Sequence, residues 1–275
     1  MWTFNTAFGR IFEVLFLPFR HLSPWFGMIL ISLLTGLLML FIFRRTSNQE
    51  GIRKAKNKIK AHLLELRLYK DNMNLSLKAY GHILIANLKY LSHSVRPMLV
   101  MIVPVLLILI QLNLWFGYRS LDVGQEAVLK IKLEEGKNPL QTEIAVEPPA
   151  GISIETPALR IEEVREIDWR LRALDKGVHA VTFRLENLSF SKQVAVGQNR
   201  LFKISAVKAG PGFLDQVFNP GERPLPKNLG IQSVEVAYPA PGMNLFGWRI
   251  HWLIVFFALS IIFGFGLKGF FRVEI

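Results

Sequence analysis

Long apolar runs alternate with polar segments along the chain and predict membrane-spanning helices. The first run covers 26–43, the second covers 98–118, and the third begins at Trp252 within a segment, 248–275, that ends in a short polar tail. A helix needs roughly 20 apolar residues to cross the hydrocarbon core of a bilayer. The second run ends in aromatic residues of the kind that lie at a membrane–water interface. The pattern therefore predicts three transmembrane helices.

Segment 1–25 precedes the first run and has apolar residues at helical spacing. They are Phe4, Ala7, Phe8, Ile11, Phe12, Leu15, Phe16 and Phe19. Such a face predicts an amphipathic helix lying in the membrane interface, and packing of the same face on protein is the alternative. Pro18 and Pro24 are expected to end this helix before the first span begins.

Segment 44–97 is polar and carries an imperfect heptad pattern. The positions of the seam are Ile52, Ala55, Ile59, His62, Leu66, Tyr69, Met73 and Tyr80. We expect a helical hairpin with helices over about 47–70 and 75–95. The turn would lie at 71–74, where Asp and Asn tolerate left-handed backbone conformations. One long helix is the alternative, but a hairpin returns both flanking spans to the same membrane.

Segment 119–247 changes to short runs with period-two alternation, which is typical of strands buried on one face. The runs with the best alternation are 129–133, 168–173, 179–185 and 232–236, and shorter ones are 152–154, 193–196 and 201–207. Several short strands separated by Gly and Pro predict an antiparallel β-sandwich. Residues 239–247 would link this domain to the third span. The expected fold class is a membrane α + β protein.

The charge distribution predicts how the chain is oriented. Of the formal net charge of +12, the hairpin segment carries +9, from twelve basic and three acidic residues. Basic loops stay in the cytoplasm, so the hairpin and the tail with Lys268 and Arg272 are predicted to be cytoplasmic. The N-terminus and the β-domain are then outside. We expect an integral protein of a prokaryotic plasma membrane, and the pI near 10.0 points first to orientation in the bilayer, because the excess charge lies in one segment beside the predicted spans.

No residue pattern indicates an enzyme. The six histidines are scattered without an HExxH or comparable ligand spacing, and cysteine is absent, so no metal site, disulfide or cofactor is expected. Glu162, Glu163, Glu166 and Asp168 form an acidic cluster, but neighbouring arginines make a solvated surface strip the better interpretation. No catalytic residue is therefore predicted.

Polar residues inside the spans and basic residues beside them are the more informative candidates. Ser32 and Thr35 lie in the first span, Gln111 and Asn113 in the second, and Ser260 in the third; polar groups there are costly unless they face protein or water. A basic cluster begins the hairpin and consists of Arg53, Lys54, Lys56, Lys58 and Lys60. It is predicted to bind anionic lipid heads, and ribosomal RNA is the alternative partner.

The order of these parts resembles the YidC-type membrane-insertase superfamily. The similarity is closest to its minimal three-span branch, in archaea and the endoplasmic reticulum. It covers roughly 8–118 and rests on Leu15-Phe16-Leu17-Pro18-Phe19 leading to Trp25, on Ser32, Thr35 and Gly36 in the first span, and on Arg96-Pro97-Met98 followed by Val103-Pro104. The third span fits by position.

The resemblance implies a short polar groove, open to the cytoplasm, that eases client helices into the bilayer. Its candidate lining residues are Ser32, Thr35, Arg44, Arg45, Gln111, Asn113 and Ser260, with the two arginines at the cytoplasmic mouth. Client membrane proteins, the lipid bilayer and the ribosome would be the partners of the membrane part. The predicted function is an insertase or membrane chaperone. The alternative is an envelope structural protein whose outer β-domain binds a partner while the spans serve as anchor.

Overall fold

The chain folds into two units. In this computed structural model the described residues are 2–69, 72–185, 188–198, 201–245, 247–271 and 273–274. One unit combines Met1–Gly27 with Ile108–Trp252, and the other combines Met28–Leu107 with Leu253–Ile275. The first unit therefore contains the N-terminal helix and the β-domain, and the second contains the hairpin.

Two helices begin the chain. Helix α1 covers Trp2–Phe16, a 3-10 turn at Leu17–Phe19 follows, and α2 covers Pro24–Thr46. Proline is favoured in the first turn of a helix, because its missing N–H would have no partner there and its φ angle is already helical. Pro24 therefore begins α2, and the predicted N-terminal helix and the predicted break before the first span are confirmed.

The predicted hairpin is confirmed. Helix α3 covers Gln49–Leu68 and α4 covers Met73–Phe116. Asn side chains cap the starts of both helices. Asn48 Oδ1 accepts from the Gly51 N–H at 2.9 Å, and Asn72 Oδ1 accepts from the Leu75 N–H at 3.2 Å. Part of the predicted turn, Lys70 and Asp71, lies outside the described residues. The alternative of one long helix through Asn74 is wrong.

Helix α4 corrects two predictions. It runs through Pro97 and Pro104 without ending, so the predicted separation of a helix over 75–95 from a span over 98–118 is wrong. In addition, Met73 and Tyr80 are 75% and 62% exposed, so they are not part of the seam. In the first four turns of α4 the buried positions are instead the small residues Ala79 and Ala86, so the two helices of the hairpin do not continue one heptad register.

The apolar helices differ in length. Helices α2 and α4 are both long and apolar enough to cross a membrane. Helix α6, Trp252–Leu267, is apolar but has 16 residues, which at about 1.5 Å per residue extends about 24 Å. The hydrocarbon core of a bilayer is about 30 Å thick. The helix at the third predicted span is confirmed, while its crossing of a membrane stays a prediction.

The β-domain consists of two antiparallel sheets and a hairpin. Its strands are β1 Glu126–Leu133, β2 Ala145–Glu147, β3 Ile152–Ile154, β4 Leu159–Ile161, β5 Glu166–Ala173, β6 Gly177–Leu185, β7 Leu188–Val196, β8 Val207–Ala209, β9 Ile231–Val236, β10 Met243–Leu245 and β11 Trp248–Ile250. One sheet has the order β3-β5-β1-β9-β8, with β4 also pairing β5, and the other has the order β2-β6-β7. A short helix α5, Phe213–Phe218, follows β8.

The two sheets share one hydrophobic core. Leu129 and Ile131 of β1 and Trp169 of β5 belong to the same buried cluster as Val181 and Phe183 of β6. Alternate residues of these strands point inward, because side chains of a strand alternate between its two faces. The sandwich-like arrangement of antiparallel sheets therefore follows from the predicted pattern.

Two segments of this domain were predicted wrongly. Residues 201–207 are not a strand, although Val207 begins β8, and the predicted linker 239–247 contains β10. The Ile204 N–H donates at 2.7 Å to the carbonyl oxygen of Leu114, near the end of α4. The last carbonyls of a helix lack partners within the helix. The segment therefore bonds the end of a helix through Ile204, while its Ala206 carbonyl oxygen accepts from the Val236 N–H of β9 at 3.0 Å.

Candidate functional site

Helices α2 and α6 pack closely within the hairpin unit. A Cβ atom added at Gly36 would lie 3.1 Å from the carbonyl oxygen of Ser260 and 3.3 Å from the backbone nitrogen of Gly264. Four residues earlier, the Ser32 hydroxyl donates at 3.5 Å to the carbonyl oxygen of Phe256. Small residues allow helix backbones to approach in this way. The structure thus places Ser32 of the first predicted span against the backbone of the helix at the third.

Two buried hydroxyl groups of α2 and α6 have no hydrogen-bond partner among the described residues. They are Thr35 Oγ1 and Ser260 Oγ, in side chains that are 2% and 4% exposed. A buried hydroxyl without a partner costs about 1–3 kcal/mol. Such hydroxyls usually bond a carbonyl of their own helix, as Thr46 does with the Ile42 oxygen at 2.8 Å. Thr35 and Ser260 therefore hold an unused capacity for hydrogen bonding.

The other predicted groove residues lie at separate places. Gln111 is 2% exposed, and a Cβ atom added at Gly9 of α1 would lie 3.7 Å from its Oε1. Asn113 is half-buried in the last turn of α4. Arg44 and Arg45 are exposed in the last turn of α2, and the Arg45 guanidinium lies 5.3 Å from the centre of the Phe41 ring. These four residues are not part of the contact around Gly36.

The basic cluster of α3 is mostly exposed and partly paired with acids. Lys54 Nζ lies 2.7 Å from Glu50, and Lys56 Nζ lies 3.5 Å from Glu274. Lys54 holds the pKa of the Glu50 carboxyl below its usual range. Arg53, Lys58 and Lys60 present their charges at the surface. This part of α3 is therefore a cationic surface with carboxylates at one end.

A depression of about 690 Å³ lies at that end of α3. It is lined by Gln49, Glu50, Arg53, Lys56, Lys268, Gly269, Val273 and Glu274. The Glu274 N–H donates at 2.7 Å to the Gln49 side-chain oxygen, which keeps the C-terminal residues against α3. The Lys268 of the predicted cytoplasmic tail thus joins the basic cluster, while Arg272 lies outside the described residues.

An apolar surface extends from α1 onto the β-domain. The Asn5 amide donates at 2.6 Å to the carbonyl oxygen of Gln216 in α5, and Lys203 Nζ lies 2.9 Å from Glu13. The exposed apolar side chains of the two helices are Phe4, Ile11 and Val14 of α1 and Phe213, Leu214 and Phe218 of α5. Helix α1 therefore packs on protein through one side and exposes apolar residues as well. The packing of this helix on protein is thus observed, while its position in a membrane interface stays a prediction.

A buried ion pair joins two segments of the β-domain. Lys192 of β7 is fully buried and donates to Glu222, and also to the Ser205 carbonyl oxygen at 2.6 Å. The other carboxylate oxygen of Glu222 accepts from the Gln193 N–H at 3.2 Å. Burial lowers the pKa of Lys192, and the Glu222 carboxylate opposes that change. The pair fixes segment 201–207 against β7, and no residue pattern predicted it.

The acidic cluster of the sequence lies on an outer sheet surface rich in ion pairs. Glu162 accepts at 3.0 Å from the Asn138 amide, Lys130 Nζ lies 4.0 Å from Glu166, and the neighbouring Arg172 contacts Glu126 at 2.6 Å. Burial raises the pKa of Asp168 above its usual value. These contacts support the interpretation of a surface strip.

Sequence reasoning also missed a cluster in the hairpin. His62 and Glu65 of α3 lie beside His82 of α4, and their ligand atoms are all within 4.8 Å of one another. Nothing in the spacing of these residues indicates the cluster, because only the register of the two helices brings them together.

Comparisons with known proteins give little similarity. No protein-family model matches the chain, and no curated protein matches it. Among solved structures, domains 4 and 5 of the S-layer protein SbsC align with 29% of this chain and 47% of that chain, at 16% identity and a TM-score of 0.24. A longer structure of SbsC aligns with 49% of this chain and 22% of that chain, at 11% identity and the same TM-score of 0.24. The chain thus spans less than half the length of either structure, and similarity at this TM-score carries no argument.

Proposed function

We propose that this chain is an integral membrane protein that acts as an insertase or membrane chaperone for client helices. The observation that supports the proposal is the pair of unpartnered hydroxyls, Thr35 Oγ1 and Ser260 Oγ, within two apolar helices. A polar group of a client helix loses its bonds to water as it enters the bilayer. Hydroxyls with free bonding capacity at that depth replace part of those bonds and lower the cost of entry.

The hydroxyls are buried, so the proposed groove is a contact that opens. Gly36 lies against the backbone of α6, and no side chain of its own fills the space between the helices. Around Gly36 the two helices can separate without first withdrawing a large side chain of α2 at that position. A client segment would then enter between α2 and α6 and bond the exposed hydroxyls.

The exposed cations of α3 would receive clients or anionic lipid heads on the cytoplasmic side. Each basic residue near a membrane surface contributes about 1 kcal/mol of attraction to anionic lipids. Ribosomal RNA is the other source of anionic phosphates that the same residues could bind. Lipid binding would persist in vesicles without ribosomes, whereas ribosome binding would appear in co-sedimentation and be lost when the five basic residues are reversed in charge.

Orientation can be tested directly because the chain has no cysteine. We would introduce Lys58→Cys in the hairpin or Val178→Cys in the β-domain, both at exposed positions. The cells are kept intact but any outer membrane or wall is first removed. A maleimide that cannot cross the plasma membrane should then label Val178→Cys and not Lys58→Cys. Labelling of the hairpin cysteine alone would overturn the proposed orientation.

The function is tested by depleting the protein and following the integration of a short-tailed membrane client. Wild-type protein should restore integration, and Thr35→Val with Ser260→Ala should restore it several-fold less well. The matched control is Thr46→Val, because that hydroxyl already bonds its own helix. Equal restoration by both variants, or unchanged integration after depletion, would remove the support for an insertase.

A second candidate is an envelope anchor whose β-domain binds an outer partner. The contacts from Asn5 to Gln216 and from Glu13 to Lys203 favour it, since they fix the β-domain to α1. An anchor needs no hydroxyls inside its spans. Unchanged client integration together with release of an outer partner from the membrane after depletion would favour this function.

A further inference from the structure

The two arms of the hairpin place three metal-ligand side chains together. His62 and Glu65 are separated by three positions on α3 and so share one face of that helix. His82 comes from α4, and its ring centre lies 5.0 Å from that of His62. His62 Nδ1 lies 2.8 Å from the Glu65 carboxylate. All three ligand atoms lie within 4.8 Å of one another.

We propose that His62, Glu65 and His82 bind a divalent transition-metal ion, with zinc the ion that suits them best. Two imidazoles and one carboxylate form a donor set used for zinc with an open fourth position. Zinc bonds of about 2.0–2.2 Å at tetrahedral angles place donors about 3.3 Å apart, so the widest of these separations, at most 4.8 Å, must shorten by about 1.5 Å or less. Glu65 and His82 are exposed and His62 is half-buried, so rotation of their side chains is unhindered by a packed core.

The surroundings influence both affinity and the fourth ligand. Lys58 and Lys89 line the same depression as the two histidines, together with Ile85 and Ala86. Two ammonium groups weaken the binding of a cation and favour an anion as its fourth ligand. The site therefore suits an ion held together with a hydroxide or a carboxylate, rather than a bare divalent cation.

The consequence of binding is a cross-link between the arms. The seam between α3 and α4 contains small side chains such as Ala55, Ala79 and Ala86, which bury little apolar area. Exposed apolar residues surround the end of the hairpin, including Leu68 and Leu77, at 73% and 62% exposure. An ion bonded to both helices would hold their register where side-chain packing is weak, and its removal would loosen the end of the hairpin.

Binding is tested on the purified full-length chain in detergent micelles, after removal of any histidine tag and of bound metals with a chelator. Titration with zinc chloride in a calorimeter should give one ion per chain. His62→Ala and His82→Ala should each weaken the affinity at least tenfold, and Glu65→Gln should weaken it as well. His93→Ala is the matched control, because it removes a histidine of α4 that lies outside the cluster, and it should leave the affinity unchanged.

Cobalt gives a readout that needs no variant. Cobalt bound by the wild-type chain should show the strong visible absorption of a four-coordinate ion, and added zinc should abolish it. Spin labels at Leu68→Cys and Leu77→Cys should show a narrower distance distribution after zinc addition, and His82→Ala should remove this effect. Absent zinc binding, an octahedral cobalt spectrum, or equal affinity in His82→Ala and wild type would each overturn the proposal.

Discussion

The Lys192–Glu222 pair of the β-domain and the hydroxyls of Thr35 and Ser260 in α2 and α6 are buried polar groups with opposite surroundings. In the β-domain, the fully buried Lys192 donates to a carboxylate and to a backbone carbonyl, and its partner Glu222 also accepts from a backbone N–H. In α2 and α6, Thr35 Oγ1 and Ser260 Oγ have no hydrogen-bond partner among the described residues. The first arrangement specifies one packing of a loop on a strand. The second lowers the stability of the folded chain, because a buried hydroxyl without a partner is unfavourable. Proteins often keep such a loss of stability where function requires it.

The largest effect is expected from removing one partner of the buried ion pair. Glu222→Gln leaves the Lys192 ammonium buried without its counter-charge, and breaking a buried pair in this way costs about 3–5 kcal/mol. The free energy of unfolding of the β-domain should fall by that amount in denaturant titrations of the full-length chain. Glu163→Gln makes the same chemical change at an exposed position and should alter the value by about 0.5 kcal/mol or less. Similar losses in both variants would contradict the assigned role of the pair.

The close approach at Gly36 should give the next largest effect. Gly36→Leu places a side chain against the backbone of α6, and its Cβ atom would lie 3.1 Å from the Ser260 carbonyl oxygen. Such overpacking lowers the free energy of unfolding by about 1–3 kcal/mol. Gly264→Ala is the matched control, since a Cβ atom there meets nothing within 4 Å. Thermal unfolding in micelles measures both. A loss in Gly264→Ala as large as that in Gly36→Leu would mean that close packing is not the cause.

The unpartnered hydroxyls should show the opposite sign. Thr35→Val removes a buried oxygen that has no hydrogen bond while keeping the shape of the side chain, so the free energy of unfolding should rise by about 1 kcal/mol. Thr46→Val removes a hydroxyl that does have a partner and should not stabilise the chain. Thr35→Val should therefore be more stable but less able to integrate clients. Destabilisation by Thr35→Val would show that the Thr35 hydroxyl has a partner, and the contrast with the paired Lys192 and Glu222 would no longer hold.

The parts of the fold that could be predicted are those with a strong local pattern. Apolar length predicted α2, period-two alternation predicted the main strands, and charge with heptads predicted the hairpin. The continuity of α4 could not be predicted, because proline removes an N–H and usually ends a helix. Here Pro97 and Pro104 remain inside a helix of 44 residues, and apolar helices of membrane proteins tolerate proline when neighbouring groups bond the freed carbonyls.

The candidate sites were less predictable because they depend on contacts between distant segments. Polar residues inside the spans pointed to Ser32, Thr35 and Ser260, but nothing in the sequence distinguishes them from Gln111, which lies beside α1. Lys192 and Glu222 belong to segments whose pairing only the folded chain defines. Segment 201–207 has the apolar spacing of a strand, and its residues Leu201, Ile204 and Ala206 are indeed buried. Its backbone, however, bonds the Leu114 carbonyl oxygen at the end of α4 and the ammonium group of Lys192.

The smallest expected effect comes from the ion pair between α1 and the β-domain. Glu13 and Lys203 are in contact at 2.9 Å, with side chains 39% and 25% exposed, and pairs of this kind contribute about 0.2–1 kcal/mol. Glu13→Gln should lower the free energy of unfolding by no more than that, and 1 M salt should reduce the difference because it screens exposed charges. The buried pair at Lys192 should keep its effect in the same salt, since screening ions do not reach it. If Glu13→Gln lowered the free energy of unfolding as much as Glu222→Gln, and high salt left that loss unchanged, burial would not explain the difference in stability between the two ion pairs.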